Sequence, residues 1–330
     1  MNAGGRQRPP IDLNRSLAAV VRGGIPLRAQ ERLAEEAGPN PRLFTSDLSV
    51  SEFVLARDAQ AQPIAQVMGS SIYHVGQIAD YKGETGEIAV ISDAHRTARQ
   101  RALARLWQEA ALLGADAVIG ARLRERMITM GARGKGGDDG GEVLEFTVVG
   151  TAVRAPWITH APGQPIVTDL SGQELWTFAQ DGWEPTGFLF DFCRYHVWHV
   201  TRDSARGGEL AMATSAVETA RDTVARKVWE QARRFQSEFV VGSDITLDIR
   251  EVPCGYEGCE RNDLDVDVSW FGTGIRRIPE ARRRTHVAVP PLVLSMMPLG
   301  RPADERIEAQ DDADEVARAA RDAEEDAAEG

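Results

Sequence analysis

The spacing of small and apolar residues in the first third of the chain predicts one long helix. These residues recur every three or four positions, which places them on a single helical face: Ile91, Ala94, Ala98, Ala102, Leu106, Ala110 and Leu113. Gly114 follows, and glycine ends helices because it adopts the positive φ common at their C-termini. The apolar residues 117–119 then predict a short buried strand. The unit is therefore a long helix that leads into a strand.

The same pattern returns 122 residues later, which predicts a tandem duplication. The second apolar face comprises Ala213, Ala216, Ala220, Val224, Val228, Ala232 and Phe235. The register holds without a gap from Asp47-Leu48-Ser49, which matches Asp169-Leu170-Ser171, to Gly150-Thr151, which matches Gly272-Thr273. A repeat of this length is a whole domain rather than a solenoid unit.

Each repeat is predicted to contain the same elements. A short helix begins at Ser49 with Glu52 in capping-box spacing, and Ser171 and Glu174 repeat this arrangement. A strand rich in β-branched and aromatic residues follows, with a break expected at Gly69. After the long helix, alternating residues predict a hairpin whose inner side chains are Leu144, Phe146 and Val148, and then Val266, Val268 and Trp270. The sequence thus predicts an α+β fold in which the long helix packs on one sheet face.

We divide the chain into four predicted regions. Residues 1–43 form an N-terminal arm with a disordered start and one short helix, LRAQERLAEEA. Residues 44–160 and 161–288 form the two repeats. Residues 289–330 hold an apolar segment, VPPLVLSMMPL, which is expected to pack on a neighbouring surface, and then an acidic tail.

The net charge of -12 is concentrated in that tail. From Pro302 to Gly330 there are twelve Asp and Glu against three Arg, a net of -9, which leaves -3 for the rest of the chain. Such an alanine-rich acidic tail is typical of a solvated or partly helical extension, and docking to a basic partner is the alternative expectation. Neither interpretation favours nucleic-acid binding.

Composition and the chain start favour a cytoplasmic protein. No apolar run is long enough to span a membrane, and the first residues lack the apolar core of a signal peptide. Three cysteines fit a reducing compartment better than a secreted disulfide scaffold. With 42% hydrophobic residues, the chain can bury the two cores that the duplication requires.

The first repeat resembles the YbjQ-like putative heavy-metal-binding family. The resemblance rests on Leu113-Gly114-Ala115-Asp116-Ala117-Val118-Ile119-Gly120 and on the strand end Gly150-Thr151-Ala152-Val153, and it covers roughly residues 64–154. It implies a dodecin-like β-α-β-β fold that assembles into rings, typically of five, by adding strands between subunits. No set of metal ligands comes with this motif, because its residues are turn glycines and packing alanines.

Five residues of the second repeat are candidate metal ligands: Cys193, His196, His199, Cys254 and Cys259. The first three form C-x2-H-x2-H, but in a strand His196 points to the face opposite Cys193 and His199, so a structural role for the shared Tyr-His-Val is favoured. In that role the ring donors of the shared Tyr-His-Val would satisfy buried backbone groups. The remaining thiols, spaced C-x4-C in a loop, predict a soft metal site, a disulfide or no special role.

Charged and aromatic residues shared by both repeats are candidate interface residues: Glu87, Arg99, Trp107 and Arg154, with their copies Glu209, Arg221, Trp229 and Arg276. A ring needs the same ion pairs at each contact, so subunit contact is favoured over a repeated binding site or a solvated helix face. The tryptophans are expected at an interface or in a core.

The sequence therefore predicts a ring-forming homo-oligomer whose repeats supply a scaffold or enclose a metal or small-molecule site. It is expected to be non-enzymatic, since the sequence shows no catalytic constellation. The alternative is a metal or redox sensor that uses the cysteines and histidines of the second repeat. Five chains and ten domains are expected, because a two-copy chain cannot fill a ring of five domains. Two stacked rings are favoured over one ring with alternating repeats, with residues 155–166 stepping between the layers.

Overall fold

The computed structural model describes residues 12–38, 45–75, 84–129, 142–198, 209–253 and 262–279. The chain divides into two compact units, residues 1–284 and 285–330, and every described residue belongs to the first. The candidate ligands His199, Cys254 and Cys259 lie outside the described residues, as do the apolar segment and the acidic tail.

Six helices and eight strands make up the described part of the chain. The helices are α1 (Leu13–Val21), α2 (Leu27–Glu36), α3 (Val50–Asp58), α4 (Ala89–Leu112), α5 (Gly172–Asp181) and α6 (Ala211–Arg234). The strands are β1 (Gln62–His74), β2 (Gly86–Glu87), β3 (Ala117–Thr129), β4 (Glu142–Arg154), β5 (Ile166–Val167), β6 (Trp183–Val197), β7 (Phe239–Pro253) and β8 (Asn262–Arg277). The predicted α+β fold is confirmed. None of the helices described is long and apolar enough to cross a membrane.

The strands form two sheets of four, with orders β1-β4-β3-β5 and β2-β6-β8-β7. The pairings match at the predicted offset of 122 residues: Val67 lies opposite Gly150, and Leu189 lies opposite Gly272. Both sheets also have a bulge beside a glycine with φ +61°, at Gly120 and Gly242.

The long helices bury most of the predicted residues. All seven apolar positions of α4 and its C-cap are buried, and so are the first six of α6. The seventh, Phe235, is exposed, because it lies at the C-cap of α6 and its ring packs at the edge of β6 beside Gly187. Both capping boxes are present, at Ser49 and at Ser171.

Two predictions about local structure were wrong. The expected break at Gly69 does not occur, because β1 pairs continuously with β4 through this residue. The glycine is required there by packing, since a Cβ would lie 2.0 Å from the carbonyl oxygen of Ala102 on α4. In the arm, α2 was predicted but α1 was not; Asp12 caps α1 by accepting a hydrogen bond from Arg15 N at 3.1 Å.

Each sheet contains a short strand from the other half of the chain. Strand β2 precedes the first long helix but pairs with β6, where Glu87 lies opposite Tyr195. Strand β5 precedes the second repeat's short helix but pairs with β3, where Val167 lies opposite Val118. The two sheets are therefore tied together by reciprocal strand addition within one chain.

Strand β6 separates the two helices that pack on it. Its residues Phe188, Phe190 and Phe192 join the core that contains α4, whereas Leu189 and Cys193 join the core beneath α6. The linker after β4 is buried against the second repeat. Its Trp157 and Ile158 pack with Leu175 and Ala179 of α5, so the two repeats lie side by side.

Candidate functional site

The most distinctive site is the seam between the two sheets, which we define as α4 together with the residues of β2, β3, β4, β6 and β8 that it contacts. The start of α4 runs along the edge of β6. Ile88 N donates to Arg194 O at 2.8 Å, and Arg194 N donates to the hydroxyl of Ser92 at 3.1 Å. These bonds satisfy backbone groups of β6 that would otherwise be unpaired at a sheet edge.

Arg99 lies at the centre of the seam and is only 2% exposed. Its Nη2 donates to Ser269 Oγ of β8 at 2.7 Å and to Glu125 Oε2 of β3 at 2.5 Å. The guanidinium carbon also lies 5.3 Å from the ring centre of Phe146 and 5.4 Å from that of Phe192. One buried cation thus contacts both sheets, with a carboxylate and two aromatic faces offsetting its desolvation.

His95 and Glu125 complete this cluster. The His95 ring stacks on Phe192 with centroids 3.7 Å apart, and its Nδ1 lies 2.7 Å from Glu125 Oε1. Burial lowers the pKa of His95, so the neutral ring can donate to the carboxylate. Burial alone would raise the pKa of Glu125, but the hydrogen bond from His95 and the charge of Arg99 outweigh it and lower that pKa to about 2.

A second ion-pair cluster lies at the edge of β6, around Arg96. Its Nε donates to Asp191 Oδ1 at 2.7 Å, and its Nη2 donates to Glu87 Oε1 at 3.0 Å and to Phe192 O at 2.8 Å. Burial lowers the pKa of Arg96, but Asp191 and the other carboxylates raise it by more. Arg96 therefore stays charged and holds α4 and β2 against the second sheet.

The predicted interface residues divide between the two repeats. Glu87, Arg99 and Trp107 of the first repeat lie at the seam inside the chain. Their copies in the second repeat, Glu209, Arg221 and Trp229, are exposed. Equivalent positions of the two repeats are therefore covered by the other sheet in the first repeat and exposed in the second.

The remaining pair of predicted interface residues lies away from the seam. Arg154 is exposed at the end of β4. Its copy Arg276 donates to Glu184 Oε1 at 2.8 Å and so forms an ion pair within its own sheet.

Sequence comparison between the repeats missed several seam residues because their counterparts differ in chemistry. His95, Arg96 and Glu125 correspond to Val217, Glu218 and Leu247 at the 122-residue offset. A search for shared charge passes over such positions. The signal that could have found them is a charged residue in one repeat whose counterpart in the other repeat is apolar.

The candidate metal ligands that the structure describes have other partners. Cys193 is buried under α6, and burial raises the pKa of its thiol to about 12. His196 Nδ1 lies 2.8 Å from Asp265 and its Nε2 lies 3.4 Å from Asp263. The hydrogen bond with Asp265 raises the pKa of His196, and this ring therefore pairs with carboxylates; His74 is exposed.

Within the described ranges, no three His, Cys, Asp or Glu side chains are grouped so that they could hold a metal ion. The two ring nitrogens of His196 face different aspartates, which leaves neither free for a cation shared with them. A metal site that includes the three candidates outside the described residues stays a prediction.

Comparison with known proteins places the chain in a family. A family model described as "Putative heavy-metal-binding" (YbjQ_1) matches residues 66–156. The chain is 35% identical over 228 residues to the encapsulin nanocompartment protein Rv1762c of Mycobacterium tuberculosis (strain ATCC 25618 / H37Rv), covering 66% of this chain and 82% of that relative. No solved structure matches the chain. The chain therefore belongs to the YbjQ_1 family, as the resemblance of its first repeat predicted.

Proposed function

We propose that this protein is a non-enzymatic assembly protein whose copies associate head to tail through an outer seam, equivalent to the seam inside each chain. One observation carries the proposal: both halves of the outer seam are exposed, and they lie on β1 and β7, which are edge strands of different sheets. The assembly role is also supported by the name of its relative, an encapsulin nanocompartment protein.

The first half of the outer seam is the outer face of α6 with the neighbouring face of β7. Trp229 is 59% exposed and Leu247 is 50% exposed, and they correspond to Trp107 and Glu125 of the inner seam. Ile245, also on β7, and Met212, near the start of α6, are exposed as well. Exposed large apolar residues are candidates for an interaction surface.

The second half is the face of β1 that points away from α4. Met68 is 50% exposed and Ile72 is 75% exposed. They correspond to Phe190 and Arg194, which the inner seam buries. A helix α6 from a second copy would cover this face as α4 covers β6.

The edge of β7 completes the outer seam. Phe239 is 58% exposed, whereas its counterpart Ala117 is buried where β5 pairs with β3. In the first repeat, residues 44–48 correspond to β5 and the three residues that follow it. We expect residues 45–48 of a second copy to lie along β7, since exposed strand edges favour pairing with another chain.

The outer seam is more apolar than the inner one. Where the inner seam has His95, Glu125 and Arg194, the outer seam has Val217, Leu247 and Ile72. Apolar burial is the main driving force of stable association, whereas buried ion pairs gain little net free energy. This difference also opposes mispairing, because α6 on the β6 face would place Glu218 near Asp191 in the position where α4 supplies Arg96.

A head-to-tail contact generates either a closed ring or an open filament. Since the repeats lie side by side within a chain, we propose one ring in which they alternate, in place of the two stacked rings expected from the sequence. The number of chains, for which five is the sequence-based expectation, then follows from the angle at each seam.

Native mass spectrometry tests the proposal with one variant in the outer seam. The wild-type protein should give a discrete multiple of 36.1 kDa at micromolar concentration. Leu247→Asp should dissociate it to the single chain, because a carboxylate would be buried against Met68 or Ile72. Leu13→Asp, at an exposed apolar residue in neither half, should leave the mass unchanged. A wild-type protein of 36.1 kDa would refute the proposal.

A further inference from the structure

A cavity of about 700 Å³ opens at the seam within a single chain. It lies at the free edge of β6, between α4 on one side and α6 on the other, and the linker forms its floor. Its apolar lining includes Leu103, Trp107, Phe188, Phe190 and Phe235. This volume is within the range of about 300–1,000 Å³ that is typical of small-molecule sites.

The first repeat has a corresponding groove, but there the N-terminal arm covers it. Glu109 Oε2 on α4 accepts a hydrogen bond from Met68 N at 3.0 Å and another from Arg32 Nη2 of α2 at 2.9 Å. Beside it, Gln108 Nε2 donates to Gly23 O at 3.0 Å. The edge of β1 is thus closed by an amphipathic helix that buries Leu33 and presents the cation Arg32.

The second repeat keeps the geometry of this groove and changes its charge. Gln231 stands at the position of Glu109 and binds the strand edge in the same way, with its Oε1 accepting from Phe190 N at 3.3 Å. Three residues further along, Arg234 stands where the first repeat has Leu112. The acid Glu109, which binds Arg32 of the arm, is therefore replaced by the neutral amide Gln231. The cation Arg234 is added beside it.

The cavity lining has one charged residue, Arg234, and no acidic residue. Its occupant must bury an apolar body against the aromatic rings while placing an anionic group near that guanidinium, which favours carboxylate and sulfonate groups. We propose that the seam cavity binds a small amphipathic anion, a ring-bearing apolar molecule with one negative group. This inference goes beyond assembly, because the cavity is formed by residues of one chain.

Dye binding tests the proposal with 8-anilino-1-naphthalenesulfonate as the anionic probe and N-phenyl-1-naphthylamine as its neutral analogue. The full-length protein should bind one sulfonate dye per chain saturably. Arg234→Gln should weaken its binding about tenfold, since it removes a charge-assisted contact. Binding of the neutral dye should change less than about twofold, because the apolar lining is intact.

Arg233 provides the matched control, because it is adjacent on α6 but does not line the cavity. Arg233→Gln should leave both affinities unchanged. In Trp107→Phe, dye emission excited through tryptophan should fall while affinity is retained, which locates the dye. Equal losses in the two arginine variants, equal binding of both dyes by the wild type, or no saturable binding would each overturn the proposal.

The same titration on Leu247→Asp separates this inference from the assembly proposal. The dissociated chain retains the whole cavity lining, so its dye affinity should equal that of the assembled protein. Binding that disappears on dissociation would refute a site within one chain, whatever the mass of the wild-type protein proves to be.

Discussion

Arg99 and Arg221 occupy equivalent positions on the two long helices but have opposite environments. Arg99 is buried and donates to Ser269 of the other sheet at 2.7 Å, whereas Arg221 is exposed and pairs with Glu218 of its own helix at 3.5 Å. The difference arises because α4 faces a second sheet within the chain and the described part of the chain supplies no such sheet for α6.

Arg99 should be among the most sensitive positions of the fold. Arg99→Ala leaves Glu125 partly buried without its cation, and breaking a buried pair in this way costs about 3–5 kcal/mol of unfolding free energy. Arg221→Ala should cost less than about 1 kcal/mol, because its exposed pair contributes little. Urea denaturation of both variants in the Leu247→Asp background checks this, and equal losses would contradict the central role of Arg99.

The sequence predicted equal burial for Phe146 and Trp270, but the structure distinguishes them. Phe146 is fully buried beside Arg99 and His95, whereas Trp270 is only partly buried on its sheet. Phe146→Ala should therefore cost about 3–5 kcal/mol of unfolding free energy and Trp270→Ala clearly less. A larger loss for Trp270→Ala, measured by chemical denaturation, would show that its exposed side is covered in the assembly.

Asp169 should make the protein less stable as the pH rises from about 4 to 6. Burial raises its pKa to about 6, although Thr273 donates to the carboxylate and opposes the shift. The folded state therefore binds this proton more tightly than the unfolded state, whose pKa is about 3.9, and stability falls until the folded group is ionised. The loss is complete about one pH unit above the folded pKa, near pH 7, and stays constant above it.

Asp169→Asn removes this titration. The variant should be more stable than the wild type by about 1–2 kcal/mol at pH 7, and the difference should vanish near pH 4. Denaturation midpoints of both proteins between pH 4 and 8 measure it. A difference that is independent of pH would show that Asp169 does not titrate in this range.

Cys193 should be unreactive in the folded protein. Its thiol is buried beneath α6 with a pKa raised to about 12, so the nucleophilic thiolate is scarce at neutral pH. In Cys254→Ser/Cys259→Ser, a chromogenic disulfide reagent should detect no thiol at pH 8 and one after unfolding. Rapid reaction of the folded variant would show that Cys193 is reactive, and this residue would again be a candidate for the metal or redox sensor.

The fold was largely predictable because its elements follow from local rules. The face of α4, the stop at Gly114 and the capping boxes at Ser49 and Ser171 are each fixed by residues within a few positions of one another. Helix α1 had a comparable signal in its Asp12 cap, which was overlooked. Periodicity and capping therefore determine the individual repeat.

The seam was less predictable because it depends on residues far apart in the chain. Shared charge identified Glu87 and Arg99 but not their partners Arg96, Asp191 and Ser269. The charges of Arg96 and Asp191 are not shared between the repeats, and Ser269 is uncharged. Gly69 was misread for a related reason. The pattern shows a glycine in a strand, and only the approach of α4 shows why it is required.

The most direct test of the outer seam is a disulfide between two copies. In the inner seam Ser92 Oγ lies 3.1 Å from Arg194 N, and the corresponding outer-seam residues are Thr214 and Ile72. Thr214→Cys and Ile72→Cys, each made in the Cys254→Ser/Cys259→Ser background, should be mixed, exchanged between assemblies and oxidised. Residues this close are within disulfide geometry. The mixture is predicted to give a covalent dimer on non-reducing gels that neither variant gives alone; no dimer in the mixture, or equal dimer from either variant alone, would contradict the outer seam.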